Sequence, residues 1–278
     1  MTPIFAISLD RSPDRWHALS AQIEALGLSC ERIAALDRLA PGAERHRAAF
    51  AAGRIGRDYP ATLGDVCCSL THQGLWRRIA GMADGAVIVL EDDARLSPAF
   101  AELARSDLGG LMRQHGLGAL KLEHWPGGER SRRFPLGRKL AELPLGGGTL
   151  LYRQAATFLG TCAYAITPEA AGRLLAAHPK LGVPVDHFMF SASARRGYPI
   201  LNPGFLNPAP VLHDFPALGS DILAERIAAG LSNGSQSPRR RAREWLLKRR
   251  LVQALRMAQI ERVEMRWMGD VVPPPSER

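Results

Sequence analysis

The chain has 278 residues, 46% of them hydrophobic, which suits one large domain, or one domain with an appendage, around a sizeable core and excludes wholesale disorder. Its apolar runs are far shorter than the roughly 20 residues that cross a bilayer. Residues 1–9 have no basic flank and are closed by Asp10, so they do not read as a secretory signal, and the chain is expected to be soluble or at most attached to a membrane surface. Of the net charge of +9, +7 belongs to a tail, where ten Arg or Lys between Arg239 and Arg266 face only Glu244, Glu261 and Glu264, so the rest of the chain is close to neutral. Cys30, Cys67, Cys68 and Cys162 show no CxxC spacing, so buried thiols in a reducing cytoplasm are expected rather than a zinc knuckle or a thioredoxin-like pair.

Residues 4–9 read as a buried first strand. Ser12-Pro13-Asp14 starts a helix on which Trp16, Leu19, Ile23 and Leu26 recur at steps of three or four, and Gly27 stops it. With residues 29–34 as a second strand, this is the opening of a parallel α/β sheet. Residues 40–60 have no clear period and read as a loop with a short helix. Residues 63–80 are helical, with Val66, Leu70 and Ile79 inward, and Asp84-Gly85 turns the chain into the fully apolar strand 86–90 at the sheet's centre. Residues 119–122 form another short strand, residues 126–148 an irregular excursion, and residues 158–166 a further strand before a helix capped by Thr167 that runs to about Ala177. Residues 199–216 carry five prolines and read as a long loop; residues 232–237 read as a linker before the basic tail.

Glu91-Asp92-Asp93 directly follow the central strand, so they emerge at its carboxyl end, where open α/β sheets place their ligands. Alternation along an extended chain would turn Glu91 and Asp93 one way and Asp92 the other. Two carboxylates side by side call for a proton or a cation between them. A hard divalent ion, Mn²⁺ or Mg²⁺, suits oxygen ligands and bridges to phosphates. A solvated acidic turn accounts for the same residues, and phosphatases and polymerases also carry acids there, so the triplet alone does not fix the chemistry.

Six segments, in order, carry a resemblance. Ile7-Ser8-Leu9-Asp10-Arg11 runs on to Arg15; Gly64-Asp65-Val66-Cys67-Cys68-Ser69-Leu70-Thr71-His72 is similar to a Gly-x-x-Gly-Cys-x-x-Ser-His helix; Val89-Leu90-Glu91-Asp92-Asp93 is similar to a Leu-Glu-Asp-Asp core. Gly160-Thr161-Cys162-Ala163-Tyr164 resembles a Gly-x-x-Ala-Tyr strand, Pro184-Val185-Asp186 a Pro-x-Asp, and Ser220-Asp221-Ile222 a Ser-Asp-Ile near the domain end. Together they resemble the glycosyltransferases of family 25, which take part in bacterial lipopolysaccharide biosynthesis. The second glycine of the helix motif is absent, and Thr71 stands in place of its serine.

That resemblance implies a GT-A type nucleotide-sugar-binding fold, Rossmann-like with a mostly parallel sheet, over residues 1–231, followed by a linker and basic amphipathic helical tail over 232–278. It implies a UDP-sugar donor, UDP-galactose or a related hexose, a divalent metal, a glycan or lipid-linked acceptor, and inversion at the anomeric carbon. Inversion needs the leaving diphosphate neutralised, a task for a metal on Glu91 and Asp93 with His213 as a third ligand, and a base opposite, for which Asp186 is the candidate. Asp186 as a helix cap and His213 as a surface histidine are the plain alternatives. Arg11, Arg15 and Asp92 are placed to meet the nucleotide. His72 reads as a packed or hydrogen-bonded histidine.

Residues 238–266 read as one helix with Leu247, Leu251, Ala254, Leu255 and Ala258 on a stripe and basic residues around it. Such a helix suits an anionic membrane, the inner face of the inner membrane, or packs its stripe on the domain. No aromatic stacking pattern accompanies the charge, so nucleic acid is not expected. A metal-dependent phosphoesterase and a non-catalytic membrane- or nucleic-acid-binding module are the competing functions.

Overall fold

A computed structural model describes residues 1–51, 53–145, 148–214, 221–231 and 238–270, with only the backbone of Asp221 and Leu223. The strands are β1 (Ile4–Ser8), β2 (Glu31–Ala34), β3 (Val87–Glu91), β4 (Ala94–Leu96), β5 (Ala119–Lys121), β6 (Glu123–His124), β7 (Leu136–Leu143), β8 (Thr149–Gln154), β9 (Ala163–Ile166), β10 (Gly204–Asn207), β11 (Val211–His213) and β12 (Glu261–Arg262). The helices are α1 (Pro13–Ala25), α2 (His46–Phe50), α3 (Ile55–Asp58), α4 (Leu63–Ile79), α5 (Pro98–Arg105), α6 (Leu108–Gln114), α7 (Arg130–Arg133), α8 (Pro168–Ala177), α9 (Val185–Phe190), α10 (Tyr198–Leu201), α11 (Asp221–Ala228) and α12 (Pro238–Arg256).

The fold is mixed α/β around a large sheet in the order β12-β7-β8-β10-β5-β9-β3-β1-β2. Strands β1, β2, β3, β5, β7 and β10 run one way, and β8, β9 and β12 run against them. Both faces of its centre are covered. Phe5, Ile7, Val87 and Val89 pack on the side of α4 and α8, and Ile4, Ala6, Ile88 and Leu90 on the side of α1 and α5. Burial on both faces is why β1 and β3 are continuous apolar runs.

A second sheet, β4-β11-β6, continues beyond the first. Its strands follow β3, β10 and β5 in the chain, so it grows from their carboxyl ends. α4 starts with a reciprocal cap, the Thr62 side chain accepting from Asp65 N and the Asp65 side chain accepting from Thr62 N.

The structure corrects three expectations. The expected loop 199–216 contains α10, β10 and β11: Pro203 stands between α10 and β10, and Pro208 and Pro210 between β10 and β11, where a missing N–H costs no ladder bond. The expected excursion 126–148 contains α7 and all of β7, whose pairing with β8 supplies hydrogen bonds that a Gly- and Arg-rich stretch does not advertise. The tail helix ends at Arg256 rather than Arg266, because Ala258 takes a left-handed conformation (φ 52°) and the chain then returns to the sheet as β12. Beyond it Val263, Met265 and Met268 are buried, Val263 and Met265 in one cluster with Tyr152 and Phe205. The expected linker 232–237 and Ser220 lie outside the described residues.

Candidate functional site

A cavity of about 970 Å³ opens at the carboxyl ends of β1 and β3. Arg11, Arg15, Glu91, Asp92, Asp93, Asp186 and His213, the residues singled out in the sequence, all line it. Register brings His213 there. β11 pairs antiparallel with β4 so that His213 lies opposite Ala94, the residue after Asp93, and Asp214 N donates to Asp93 O at 2.9 Å. His213 Nε2 then meets Asp93 Oδ2 at 3.2 Å, with the Cys162 thiol in the same cluster. Trp125 stands edge-on to the His213 ring, at 4.8 Å between centroids.

The triplet does not alternate as an extended chain would. β3 ends at Glu91 and the next two residues turn, so Asp92 and Asp93 share one partner: Arg15 Nη2 lies 2.5 Å from Asp92 Oδ1 and 3.1 Å from Asp93 Oδ2. Glu91 turns instead to His72 Nε2 (3.2 Å) and Thr161 Oγ1 (2.7 Å). Burial works to raise the Asp93 carboxyl, but the His213 charge with its hydrogen bond and the Arg15 guanidinium outweigh it and hold it well below the carboxylate range. Burial pushes Asp92 up, against Arg15. The Cys162 thiol is driven well above its ordinary value by burial, with Asp93 adding to the shift, so it stays protonated.

Asp186 sits in the first turn of α9 but is not its cap, a place held by Pro184. Its Oδ1 accepts from His187 N at 2.6 Å, and Arg132 Nη2 stands 3.9 Å from Oδ2. Burial would raise its pKa; the charges of His187, Arg132 and Arg226 prevail and lower it. Arg11 is held by Asp37 at 2.9 Å.

Sequence reasoning missed the support beneath these groups. Lys121 is buried and donates to Glu123 Oε1 (2.6 Å) and Gly160 O (2.5 Å), and Glu123 Oε2 accepts from Ala163 N at 3.2 Å. This clamp fixes the 160–163 strand entry that presents Thr161. Gly160 has φ +114°, and an added Cβ would run into Glu123, so only glycine fits. Lysine and glutamate two apart in a short apolar strand were the available signal, since paired burial is what such charges need. His72 is fully buried, and Trp76, Tyr164 and His72 form a hydrogen-bonded row ending on Glu91.

The far wall is the tail. α12 lines the cavity with Leu247, Leu251 and Leu255. Arg240 lies over the Tyr59 ring at 4.5 Å, and Arg243 approaches Asp58 at 3.7 Å. Among the described residues no helix is long and apolar enough to cross a membrane.

Comparison with known proteins bears out the family resemblance. Three curated relatives share the name "Glycosyltransferase 25 family member". The protein of Aedes aegypti is 31% identical over 102 residues, 35% of this chain and 17% of its own length. That of Drosophila pseudoobscura pseudoobscura is 31% identical over 102 residues, 35% and 16%. That of Anopheles gambiae is 28% identical over 130 residues, 42% and 20%. The chain thus matches a fifth or less of the length of these relatives. A solved glycosyltransferase involved in glycosylation of the major capsid of PBCV-1 aligns with 82% of this chain and 99% of its own at 9% identity, but its TM-score of 0.33 is too low to bear on the fold. The family model described as "Glycosyltransferase family 25 (LPS biosynthesis protein)" matches residues 1–189, from β1 through the Asp186 turn, and the chain belongs to that family.

Proposed function

We propose that this protein is an inverting, metal-dependent glycosyltransferase that moves a hexose from a UDP-sugar, UDP-galactose or a close relative, to a lipopolysaccharide or other glycan or lipid-linked acceptor. One observation carries the reading beyond family membership. Asp93 Oδ1, at the carboxyl end of the central strand, is buried and has no hydrogen-bond partner among the described residues, while Oδ2 meets His213. A buried carboxylate oxygen left without a donor is costly unless a ligand completes it. A carboxylate with an open oxygen beside an imidazole can take a divalent ion, and Mn²⁺ or Mg²⁺ is the choice that bridges to phosphates. Asp93 and His213 would hold it; Glu91, the third expected ligand, faces the same cavity from a separate cluster. When bound, such an ion neutralises charge on a leaving diphosphate.

The chain's own groups supply the rest. Arg15, within reach of Asp92 and Asp93, and Arg11 would orient the nucleotide, with Asp92 beside them. Asp186, ionised by its cationic neighbours, would accept the proton of the attacking hydroxyl. The acceptor would be reached at a membrane. α12 exposes Trp245 (56%) and Leu246 (56%) among basic residues, with Arg249 over the Trp245 ring at 4.9 Å, which suits the anionic inner face of the inner membrane and a cytoplasmic enzyme bound there peripherally.

The test is titration of the protein with a panel of nucleotide sugars, with and without Mn²⁺, beside Asp93→Ala. A UDP-hexose that binds only with both the metal and Asp93 supports the reading. Release of free phosphate from simple esters without nucleotide binding would favour a phosphoesterase instead.

A further inference from the structure

The acidic triplet is divided between two clusters: Asp93 stands with His213 and Cys162, and Glu91 with His72 and Cys68. The hydrogen bonds behind Glu91 run in one consistent direction. Trp76 Nε1 can only donate, and it does so to the Tyr164 oxygen at 3.0 Å. The Tyr164 hydroxyl proton then has His72 Nδ1 as its acceptor, at 2.9 Å. His72 is left with its hydrogen on Nε2 and donates it to Glu91 Oε1 at 3.2 Å, the oxygen that also accepts the Thr161 hydroxyl at 2.7 Å. Both donors end on one oxygen. Oε2 has no hydrogen-bond partner among the described residues, and the Glu91 side chain is 23% exposed against 9% for Asp92 and 9% for Asp93.

We propose that Glu91 binds the sugar rather than the cation: its Oε2 accepts a hydrogen bond from a hydroxyl of the transferred hexose. This rests on the glycosyltransferase reading. A carboxylate with one oxygen fully engaged and the other turned to the cavity is a directional, charge-assisted acceptor for a hydroxyl. Its orientation is set at folding by a row of side chains reaching into the core, so little freedom is lost when the sugar arrives. His72 and Thr161 are positioning residues that act through Glu91. The division also gives each acid one task. Asp93, with its unsatisfied oxygen and His213, is left to the metal.

Glu91→Gln changes one atom of consequence. His72 and Thr161 both donate, so the glutamine carbonyl must face them, and its NH₂ takes the place of Oε2. The experiment is calorimetric titration of the full chain with UDP, UDP-galactose and UDP-glucose in Mn²⁺, for the wild type, Glu91→Gln, Asp93→Asn, Thr161→Val and Thr161→Ser. Glu91→Gln is expected to keep the affinity for UDP and to lower the ratio of UDP-hexose to UDP affinity by about tenfold, the size of a lost hydrogen bond to a charged group. Thr161→Val is expected to show part of that loss and Thr161→Ser to restore it. Loss of Mn²⁺-dependent UDP binding in Glu91→Gln, as in Asp93→Asn, would return Glu91 to the cation and overturn the proposal. An unchanged ratio would overturn it too. If the wild type binds none of the three nucleotides, the transferase reading falls and takes this inference with it, an outcome separate from the other two.

Discussion

The floor and the far wall of the cavity are built differently. On the floor every acid is tied into the core: Asp92 and Asp93 to Arg15, Asp93 to His213, Glu91 to His72 and Thr161, with the Lys121–Glu123 clamp beneath. The wall is α12, none of whose residues is buried. It is held at one end by Arg240 and Arg243 on Tyr59 and Asp58, and at the other through β12 on β7. Contacts of the first kind are desolvated and costly to break, whereas exposed ion pairs and cation–π contacts contribute about 1 kcal/mol or less each. The floor is therefore organised before any ligand binds, and the wall is the more weakly held of the two.

The largest effect is expected where the floor's clamp is broken. Lys121→Met leaves Glu123 buried without its cation and should lower the free energy of unfolding by about 3–5 kcal/mol, measured by urea denaturation. Lys121→Met with Glu123→Leu removes both charges and should recover much of that loss. Equal destabilisation in the single and double variants would mean that Gly160, not the charge pair, sets the cost. Tyr164→Phe comes next. It keeps the ring but deprives Trp76 Nε1 of its acceptor and His72 Nδ1 of its donor, for an expected 1–3 kcal/mol, about the cost of leaving buried polar groups unpaired. A Tyr164→Phe protein as stable as the wild type would show the row behind Glu91 to be dispensable.

The floor was also the legible half. Apolar runs at β1 and β3, the Pro13 and Thr167 helix starts and the acids after β3 are local signals, and the structure places each where pattern put it. What sequence missed depends on pairing between distant segments. β10 and β11 hide among prolines because their hydrogen bonds come from β5, β8, β4 and β6. His213 reaches Asp93 through strand register, and alternation failed at Asp92 because a turn replaced the strand there. The tail was legible only in part. A basic amphipathic pattern is the same whether its stripe faces a bilayer or a cavity, and Ala258 gives no local hint that the helix stops.

On the wall, Arg240→Ala should reduce stability by about 1 kcal/mol, less than Tyr164→Phe, since the contacts it removes, over Tyr59, to Glu244 and to Asp58 O, all lie at a partly exposed side chain. A loss as large as that of Tyr164→Phe would erase the contrast between the two sides of the cavity.

The smallest effect on stability is expected at Trp245, yet its variant sharpens the comparison most. The ring is 56% exposed and touches Arg249 on its own helix, so Trp245→Glu should leave the urea midpoint unchanged. On an anionic bilayer the same change withdraws an interfacial aromatic and sets a negative charge among Arg241, Lys248 and Arg249, which should weaken binding to phosphatidylglycerol vesicles about tenfold or more. Co-sedimentation at two salt concentrations reads this directly, because the basic contribution is screened by salt and the ring's is not. If Trp245→Glu sediments with the vesicles as the wild type does, α12 is a wall of the cavity and nothing more. If binding falls while the fold is unchanged, one helix serves two surfaces: its leucine stripe faces the reacting groups, and its opposite side meets the membrane that carries the acceptor.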